Sequence, residues 1–475
     1  MKNYLLSIIF LIGISTLNAQ NVITKNYKGK IVEQGLLLEL ILNLTKNQDN
    51  TYTASWDVPA QHAKDLKASS VVVTDSSIVV EVKSMYVVYE GKFSPDQKSI
   101  KGRWKQNGVN LALNLESFTK VEEVVLRKQT PKAPFPYQTE DFTFQGKKTG
   151  LTYGATLTTP TNAKNVPAII LITGSGQQDR NETLLDHQSF FVIADYLTRQ
   201  GYAVLRVDDR GIGKTTGNFE NSTSEDFAQD VEEQFTYLKT IQNIDSTKIG
   251  LMGHSEGGLI APLVAARNKE IAFIVLLAGP GIPIIDLMAE QNEKILLGNG
   301  LNEKVVEAYS TLYKKLFPAI LNSSNKTDAF SNGKVIVDEW RKTTDTNFVK
   351  WSTNITNDVS ENEFITSFID QLYSPWWKYF GNFNPQEYLK QVQCPILALN
   401  GNKDVQVIAK SNLEGIKSSA KKGKNKNVKT VELKDLNHLF QTCNSGMPRE
   451  YATLEETFSP IALIEISNWL AKINH

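Results

Sequence analysis

Along the N-terminal part of the chain, short apolar runs alternate with polar residues at a period of two. Leu36 to Leu44, Ser69 to Val73, Ile78 to Val82, Met85 to Gly91 and Ser99 to Trp104 each read as a half-buried strand. Thr74-Asp75-Ser76-Ser77 and Ser94-Pro95-Asp96 separate them as turns. Asn107-Gly108 lies between Gly102-Arg103-Trp104-Lys105 and Val109 to Leu115. That dipeptide suits a type I′ hairpin, whose two central residues need positive φ. The pattern predicts an antiparallel all-β domain over residues 20–126, a sandwich or a barrel. Thr130-Pro131-Lys132-Ala133-Pro134-Phe135-Pro136 follows, and its prolines predict a stiff extended linker over 127–136.

Beyond the linker the rhythm becomes strand, helix, strand. Apolar runs at Ala168 to Thr173, Ala203 to Val207, Ile249 to Met252, Ile274 to Ala278, Ile396 to Leu399 and Val428 to Leu433 read as buried strands with helices between most of them. Phe227, Ala228, Val231, Phe235, Leu238 and Ile241 share one helical face. Ser224 is placed as its N-cap, with Glu225 and Asp226 in the first turn. This alternation predicts an α/β fold with a mostly parallel sheet covered on both sides, over 137–282 and 393–475. It breaks at 283–392, which reads as a helical cap inserted between two sheet strands. Trp340, Trp351, Trp376 and Trp377 fall there, each equally suited to helix packing or to a wall above the sheet's C-terminal edge. No internal repeat or low-complexity tract interrupts the pattern.

At the N-terminus, Met1-Lys2-Asn3 carries one positive charge, Leu5 to Ile14 is apolar, and small or polar residues lead to Leu17-Asn18-Ala19-Gln20. This is the layout of a signal peptide over 1–19, cleaved after Ala19, and it predicts a periplasmic or extracellular protein. The apolar run is about half the ~20 residues that a membrane span needs, and no later run is long enough. Lys+Arg and Asp+Glu are both 51, so the net charge is zero, and nothing points to a nucleic-acid partner or an anionic membrane surface. Two cysteines make no disulfide scaffold. Five histidines without metal-ligand spacing make no metal site, so neither metal nor cofactor is expected. Cys394 and Cys443 fall at opposite ends of the sheet, too far apart to bridge, and are expected as separate buried thiols.

The chemistry centres on Ile249-Gly250-Leu251-Met252-Gly253-His254-Ser255-Glu256-Gly257-Gly258, an apolar strand running into G-x-S-x-G and then a helix from Leu259 to Ala266. In that context the motif is a nucleophile elbow. Glycines on either side let strand and helix pass closely, the serine is held in a strained turn, and the helix N-terminus offers N–H groups to an oxyanion. Ser255 therefore needs a base. His254 diverges from its neighbour and reads as a packing residue or one that surrounds the site, His62 belongs to the β domain, His187 lies well before the elbow and His475 is terminal. His438 follows the strand Val428 to Leu433 and precedes the helix Ile461 to Ala471, which puts it at the same sheet edge as the elbow. The orienting acid belongs between serine and histidine. Asp404 ends Cys394-Pro395-Ile396-Leu397-Ala398-Leu399-Asn400-Gly401-Asn402-Lys403-Asp404, a buried strand and a glycine turn; Asp435 is its rival. Ile170-Leu171-Ile172-Thr173-Gly174-Ser175-Gly176 supplies a glycine-rich loop. The N–H groups of Ser175 and Glu256 are the expected oxyanion donors, with Gly176 as the alternative to Ser175. Asp179 and Arg180 read as a structural ion pair or a substrate contact. Asp208-Asp209-Arg210-Gly211-Ile212-Gly213-Lys214-Thr215 ends like a phosphate-binding loop, but Asp208 stands where its first glycine is required.

These motifs resemble the α/β-hydrolase superfamily from Tyr137 to His475. Gly253 to Gly258, Thr173 to Arg180 and Asn400-Gly401-Asn402-Lys403-Asp404-Val405-Gln406-Val407 resemble exported bacterial carboxylesterases with an N-terminal β-domain, kin of the serine-aminopeptidase-like hydrolases. Gly91 to Trp104, with Gln106-Asn107-Gly108, fits the β-domain. The resemblance implies Ser255 as nucleophile, Asp404 as acid and His438 as base. Gln177 departs from it, standing where a proline is expected. The expected activity is hydrolysis of a small-molecule carboxylic ester through an acyl-enzyme. A peptidase or amidase with the same triad is the alternative, and an inert binding protein a distant third. The β-domain is a candidate surface for substrate or cap, and nothing in the chain specifies an oligomeric state.

Overall fold

A computed structural model describes residues 23–33, 36–47, 49–59, 63–82, 87–106, 109–119 and 127–473. The leader reading, His62, the Asn107-Gly108 turn and His475 lie outside them. The chain divides into two compact units, Met1–Val125 and Leu126–His475.

The first unit is one antiparallel sheet of nine strands: β1 (Ile23–Glu33), β2 (Leu36–Lys46), β3 (Tyr52–Val58), β4 (Ala63–Lys67), β5 (Ser70–Val73), β6 (Ser77–Val82), β7 (Val87–Phe93), β8 (Ser99–Gln106) and β9 (Val109–Phe118). The order β4-β3-β2-β1-β9-β8-β7-β6-β5 is a meander whose last strand returns to pair with the first. β4 and β5 stand at opposite edges, yet only Ala68 and Ser69 separate them. The three steps from Lys67 to Ser70 reach only ~10 Å, so the sheet has to curl until its edges approach. Period-two alternation drives the curling: Leu40, Leu42 and Leu44, then Ile78, Val80 and Val82, point into one core around Trp56. Trp56 stands edge-on to Tyr89 and Trp104, at centroid distances of 5.3 and 5.1 Å. β8 and β9 pair as far as Gln106 with Val109, so two residues join them.

The second unit carries an eight-stranded sheet: β10 (Tyr137–Gln145), β11 (Thr152–Pro160), β12 (Val166–Ile172), β15 (Ala203–Val207), β16 (Ile244–His254), β17 (Ile274–Leu277), β18 (Ile396–Gly401) and β19 (Val428–Leu433), in the order β10-β11-β15-β12-β16-β17-β18-β19. A small hairpin, β13 (Thr183–Leu184) and β14 (His187–Gln188), lies outside it. From β15 to β19 every pairing is parallel, and β10 and β11 add an antiparallel edge. Both faces are dry. Ala168, Ile170 and Ile172 pack with α2 (Ser224–Leu238), α3 (Gly257–Arg267) and α11 (Ala409–Lys422). The alternate residues Ile169 and Leu171 pack with α1 (Ser189–Arg199) and α13 (Pro460–Ile473). Two buried faces explain why these strands read as unbroken apolar runs.

One expectation is corrected here. The N-cap of α2 is Thr223, whose hydroxyl accepts from the Asp226 N–H and whose own N–H donates to the Asp226 carboxylate. Ser224 turns its hydroxyl inward instead. Between β17 and β18 run α4 (Ile284–Gly298), α5 (Glu303–Leu321), α6 (Lys326–Thr343), α7 (Thr346–Thr353), α8 (Asp358–Leu372), α9 (Pro375–Gly381) and α10 (Pro385–Leu389), with a hydrophobic core of their own around Leu316, Phe317 and Ile365. A short α12 (Pro448–Tyr451) precedes α13. Residues 127–136 are fastened to this unit. Arg127 donates to the carbonyls of Leu185, Ala452 and Leu454, and Gln129 bonds Thr457 and Phe458.

Candidate active site

β16 ends at His254 and α3 begins at Gly257, which leaves Ser255 on the turn between them with φ +52, a left-handed conformation rare for a residue with a side chain. Its N–H donates to the Leu277 carbonyl at 2.8 Å and ties the turn to β17. The flanking glycines are required by contact. A Cβ on Gly253 would lie 2.0 Å from the Gly257 carbonyl oxygen, and one on Gly257 would lie 2.2 Å from that of Ile172. Strand, helix and neighbouring strand therefore meet backbone to backbone, and the hydroxyl is left half-buried at the sheet's C-terminal edge.

Two more side chains come to that edge from the ends of β18 and β19. Asp404 is buried. Its Oδ1 accepts the N–H groups of Gln406 and Val407 at 2.8 and 2.9 Å, and its Oδ2 lies 2.8 Å from Nδ1 of His438. A carboxylate only accepts, so Nδ1 carries the proton. Asn437 shapes the His438 loop: its Oδ1 accepts from Leu439 and Gln441, and its amide donates to the Gln441 side chain. The Lys403 N–H donates to the Leu436 carbonyl at 3.0 Å and holds the two loops together. The rival acid Asp435 points elsewhere: it pairs with Lys403 at 3.0 Å, which holds its carboxyl below the usual range. His438 is also joined to the elbow, since its carbonyl oxygen lies 3.0 Å from Nε2 of His254.

The loop after β12 passes beside the elbow, with Gly174 against the Cβ of Ser255. Among the described residues no protein acceptor is bonded to the backbone N–H of Ser175, Gly176 or Glu256. Glu256 buries its carboxyl, which raises its pKa; hydrogen bonds from Ser224 (2.6 Å), Trp376 (2.9 Å) and the Ser175 side chain oppose that rise. Trp376, on α9, therefore reaches the residue next to Ser255. Trp340 is a packing residue that donates to the Ala308 carbonyl, and Trp377 packs edge-on to Phe317. A cavity of about 40 Å³, lined by Gly174, Gly176, Asp209, Phe227 and Glu256, lies beside the loop. It has room for a few water-sized groups.

The family model described as serine aminopeptidase, S33 (Hydrolase_4) matches residues 186–362, a stretch that contains the elbow and ends before Asp404. Esterase EstD of Thermotoga maritima is 25% identical over 320 residues, 66% of this chain and 65% of that one. Over residues 186–362 the chain is similar to this α/β-hydrolase family. It spans about two thirds of the length of that relative. Among solved structures it is similar to the Pyrococcus furiosus esterase Pf2001, at 16% identity and TM-score 0.40 over 73% of this chain and 99% of that one. It is also similar to Est1E of Butyrivibrio proteoclasticus with ferulic acid bound, at 15% identity and TM-score 0.39 over 70% and 99%.

Other residues of the chain singled out from sequence are structural in their contacts. Asp179 and Arg180 do not pair with each other. Asp179 accepts from Asn181 and Thr183, whereas Arg180 grips the buried Asp208 through Nε (2.9 Å) and Nη2 (2.6 Å). Asp208 also fills the turn of the false phosphate loop, where a Cβ on Gly213 would lie 2.2 Å from its Oδ2. Gln177 donates to the Arg210 carbonyl at 2.7 Å, a side-chain tie where the resemblance expects a proline. Both cysteines are free thiols. Cys443 is buried, but Cys394 is only partly so, and desolvation pushes its pKa up to about 12. Sequence reasoning passed over Glu182, Asn437 and Asp209. The Asp209 carboxyl is buried against Thr173 and the Gln178 N–H, and burial raises its pKa well above normal. Glu182 sits in a polar stretch without the strand-then-turn signal that marks Ser255, Asp404 and His438, whereas Asp209 and Asn437 do follow strands and are told apart only by their contacts.

Proposed function

We propose that this protein is an exported serine esterase that cleaves carboxylic esters through an acyl-enzyme. The reading is carried by one observation: a serine strained at a strand-to-helix turn shares a sheet edge with a buried 2.8 Å carboxylate–imidazole pair whose backbone is bonded to that turn. Nε2 of His438 takes the proton of Ser255 as Oγ bonds to the ester carbonyl carbon. Asp404 holds the ring and stabilises the imidazolium. The N–H groups of Glu256 and of Ser175 or Gly176 receive the oxyanion. Collapse breaks the bond to the alcohol, which leaves with the proton from His438. Water, deprotonated by His438, then releases the acid and restores Ser255. Ser255→Ala is expected to lower turnover of p-nitrophenyl acyl esters by about 10⁴-fold or more. Turnover close to wild type would overturn the reading.

A second reading is supported by the match to the serine aminopeptidase model. The same triad would then cleave an amide, and the choice lies in how the leaving group is protonated and seated. Relative kcat/KM on acyl esters against aminoacyl and dipeptidyl amides separates the two. The proposal expects esters to lead even when matched for acyl group. Export is supported by the pattern of Met1 to Ala19, and an exported protein whose first residue is Gln20 is the expected product.

A further inference from the structure

Behind the proposed triad lies a second carboxylate–imidazole pair. Glu182, in the left-handed region at φ +51, points its buried carboxylate at the elbow. Its Oε1 accepts the N–H of Gly174 at 3.0 Å and lies 2.8 Å from Nδ1 of His254. The other ring nitrogen, Nε2, lies 3.0 Å from the carbonyl oxygen of His438. One pair thus touches the loop after β12, the turn that carries Ser255 and the loop that carries His438.

The partners set the charge. A carboxylate and a carbonyl oxygen only accept, and a neutral imidazole has one N–H to give. His254 faces two acceptors and satisfies both only as an imidazolium. His187, equally buried, shows the opposite case. One nitrogen faces the Tyr451 carbonyl, and the other faces the Thr457 hydroxyl, which donates, so the neutral ring suffices. There burial, helped by Arg127, holds the pKa down at about 4. At His254 burial acts in the same direction, but the charge and hydrogen bond of Glu182, the His438 carbonyl and Asp404 outweigh it, and the pKa is raised. The groups facing the ring are Glu182, Asp404 and His438, whose own ring lies 4.9 Å away between centroids, together with the apolar Phe440.

We propose that Glu182 and His254 form a buried carboxylate–imidazolium brace that positions the His438 loop and the loop of Gly174 to Gly176 relative to Ser255. The inference rests on the triad reading above, and the two side chains are positioning residues that touch no substrate. Removing the brace lets the base and the oxyanion donors drift. A misplacement of about 1 Å can cost about 100-fold in rate. Glu182→Ala is therefore expected to lower kcat by about 10- to 100-fold with KM nearly unchanged. Glu182→Gln keeps the shape, removes the charge and loses less. It carries the test should the alanine variant not fold.

The deciding readout is the protonation of the His254 ring, followed by nitrogen NMR on histidine-labelled protein and assigned with His254→Asn. In wild type both ring nitrogens should carry protons at about pH 8, above the range where an ordinary imidazole titrates; in Glu182→Gln only one should. A single proton in wild type at that pH, or a wild-type kcat in both Glu182 variants, would overturn the brace. Full activity of Ser255→Ala would overturn the triad reading instead, so the two failures are distinguishable.

Discussion

At the scale of the residue, partners decide what each ionisable group does. Asp404 meets two backbone N–H groups and one imidazole, so its carboxyl is fixed in place beside His438. Asp404→Asn removes the acceptor that selects the Nδ1–H tautomer, and ester turnover is expected to fall by about 10⁴-fold. A fall below tenfold would point to a different orienting acid. His187 gives a prediction on stability. Its folded pKa, about 4, lies below the ordinary 6.5. The unfolded chain therefore binds the extra proton between those values, and the stability contributed by the neutral ring is full above about pH 6.5 and declines towards pH 4. Urea midpoints of wild type and His187→Asn, compared across that window, should converge as the pH falls. A constant gap would show that the ring is not held neutral. Ser255, Asp404 and His438 were legible because each ends a strand–turn unit. Glu182 was not, because Asn181-Glu182-Thr183 carries no periodic signal and its role depends on a contact 72 positions away.

At the scale of the element, apolar runs placed Ala203–Val207 and Val428–Leu433 to the residue, whereas β16 extends from Ile244 to His254, beyond the apolar run Ile249 to Met252. β1 and β10 were missed because each has one wet face, whereas β3 and β11 were missed although they are largely buried. β1 buries Tyr27 and Ile31 among Lys25, Asn26, Lys28 and Lys30, and β10 exposes Glu140 and Asp141, so neither stands out as apolar. The cap of α2 moved by one residue because Ser224 is recruited to Glu256 and Thr223 is free to fold back on Asp226. The elbow itself depends on backbone contact. Gly253→Ala would drive a methyl to 2.0 Å from the Gly257 carbonyl oxygen. The variant is expected to react with a fluorophosphonate at least about 100-fold more slowly. Labelling at the wild-type rate would mean that strand and helix can separate without disturbing Ser255.

At the scale of the whole molecule, the two units have separate hydrophobic cores, one around Trp56 and others on both faces of the parallel sheet and within the helices between β17 and β18. Trp56→Ala is expected to cost about 3–5 kcal/mol within its own sheet. Calorimetry should show one transition lowered and ester turnover retained; a matching loss of both would show that the units unfold together. The rhythm of the sequence changes at residues 127–136, and the compact units divide between Val125 and Leu126. The course of residues 127–136 was not legible, because Arg127 and Gln129 are anchored to carbonyls and N–H groups more than 320 positions later, which no local pattern encodes. The central claim is that one hydroxyl is activated where three strand ends meet. Its most direct test is to react the protein with a fluorophosphonate and map the adduct by mass spectrometry. The account predicts a single phosphonylated residue, Ser255, with labelling slowed in His438→Ala and absent in Ser255→Ala. An adduct on another residue, or none on the folded wild-type protein, would contradict it.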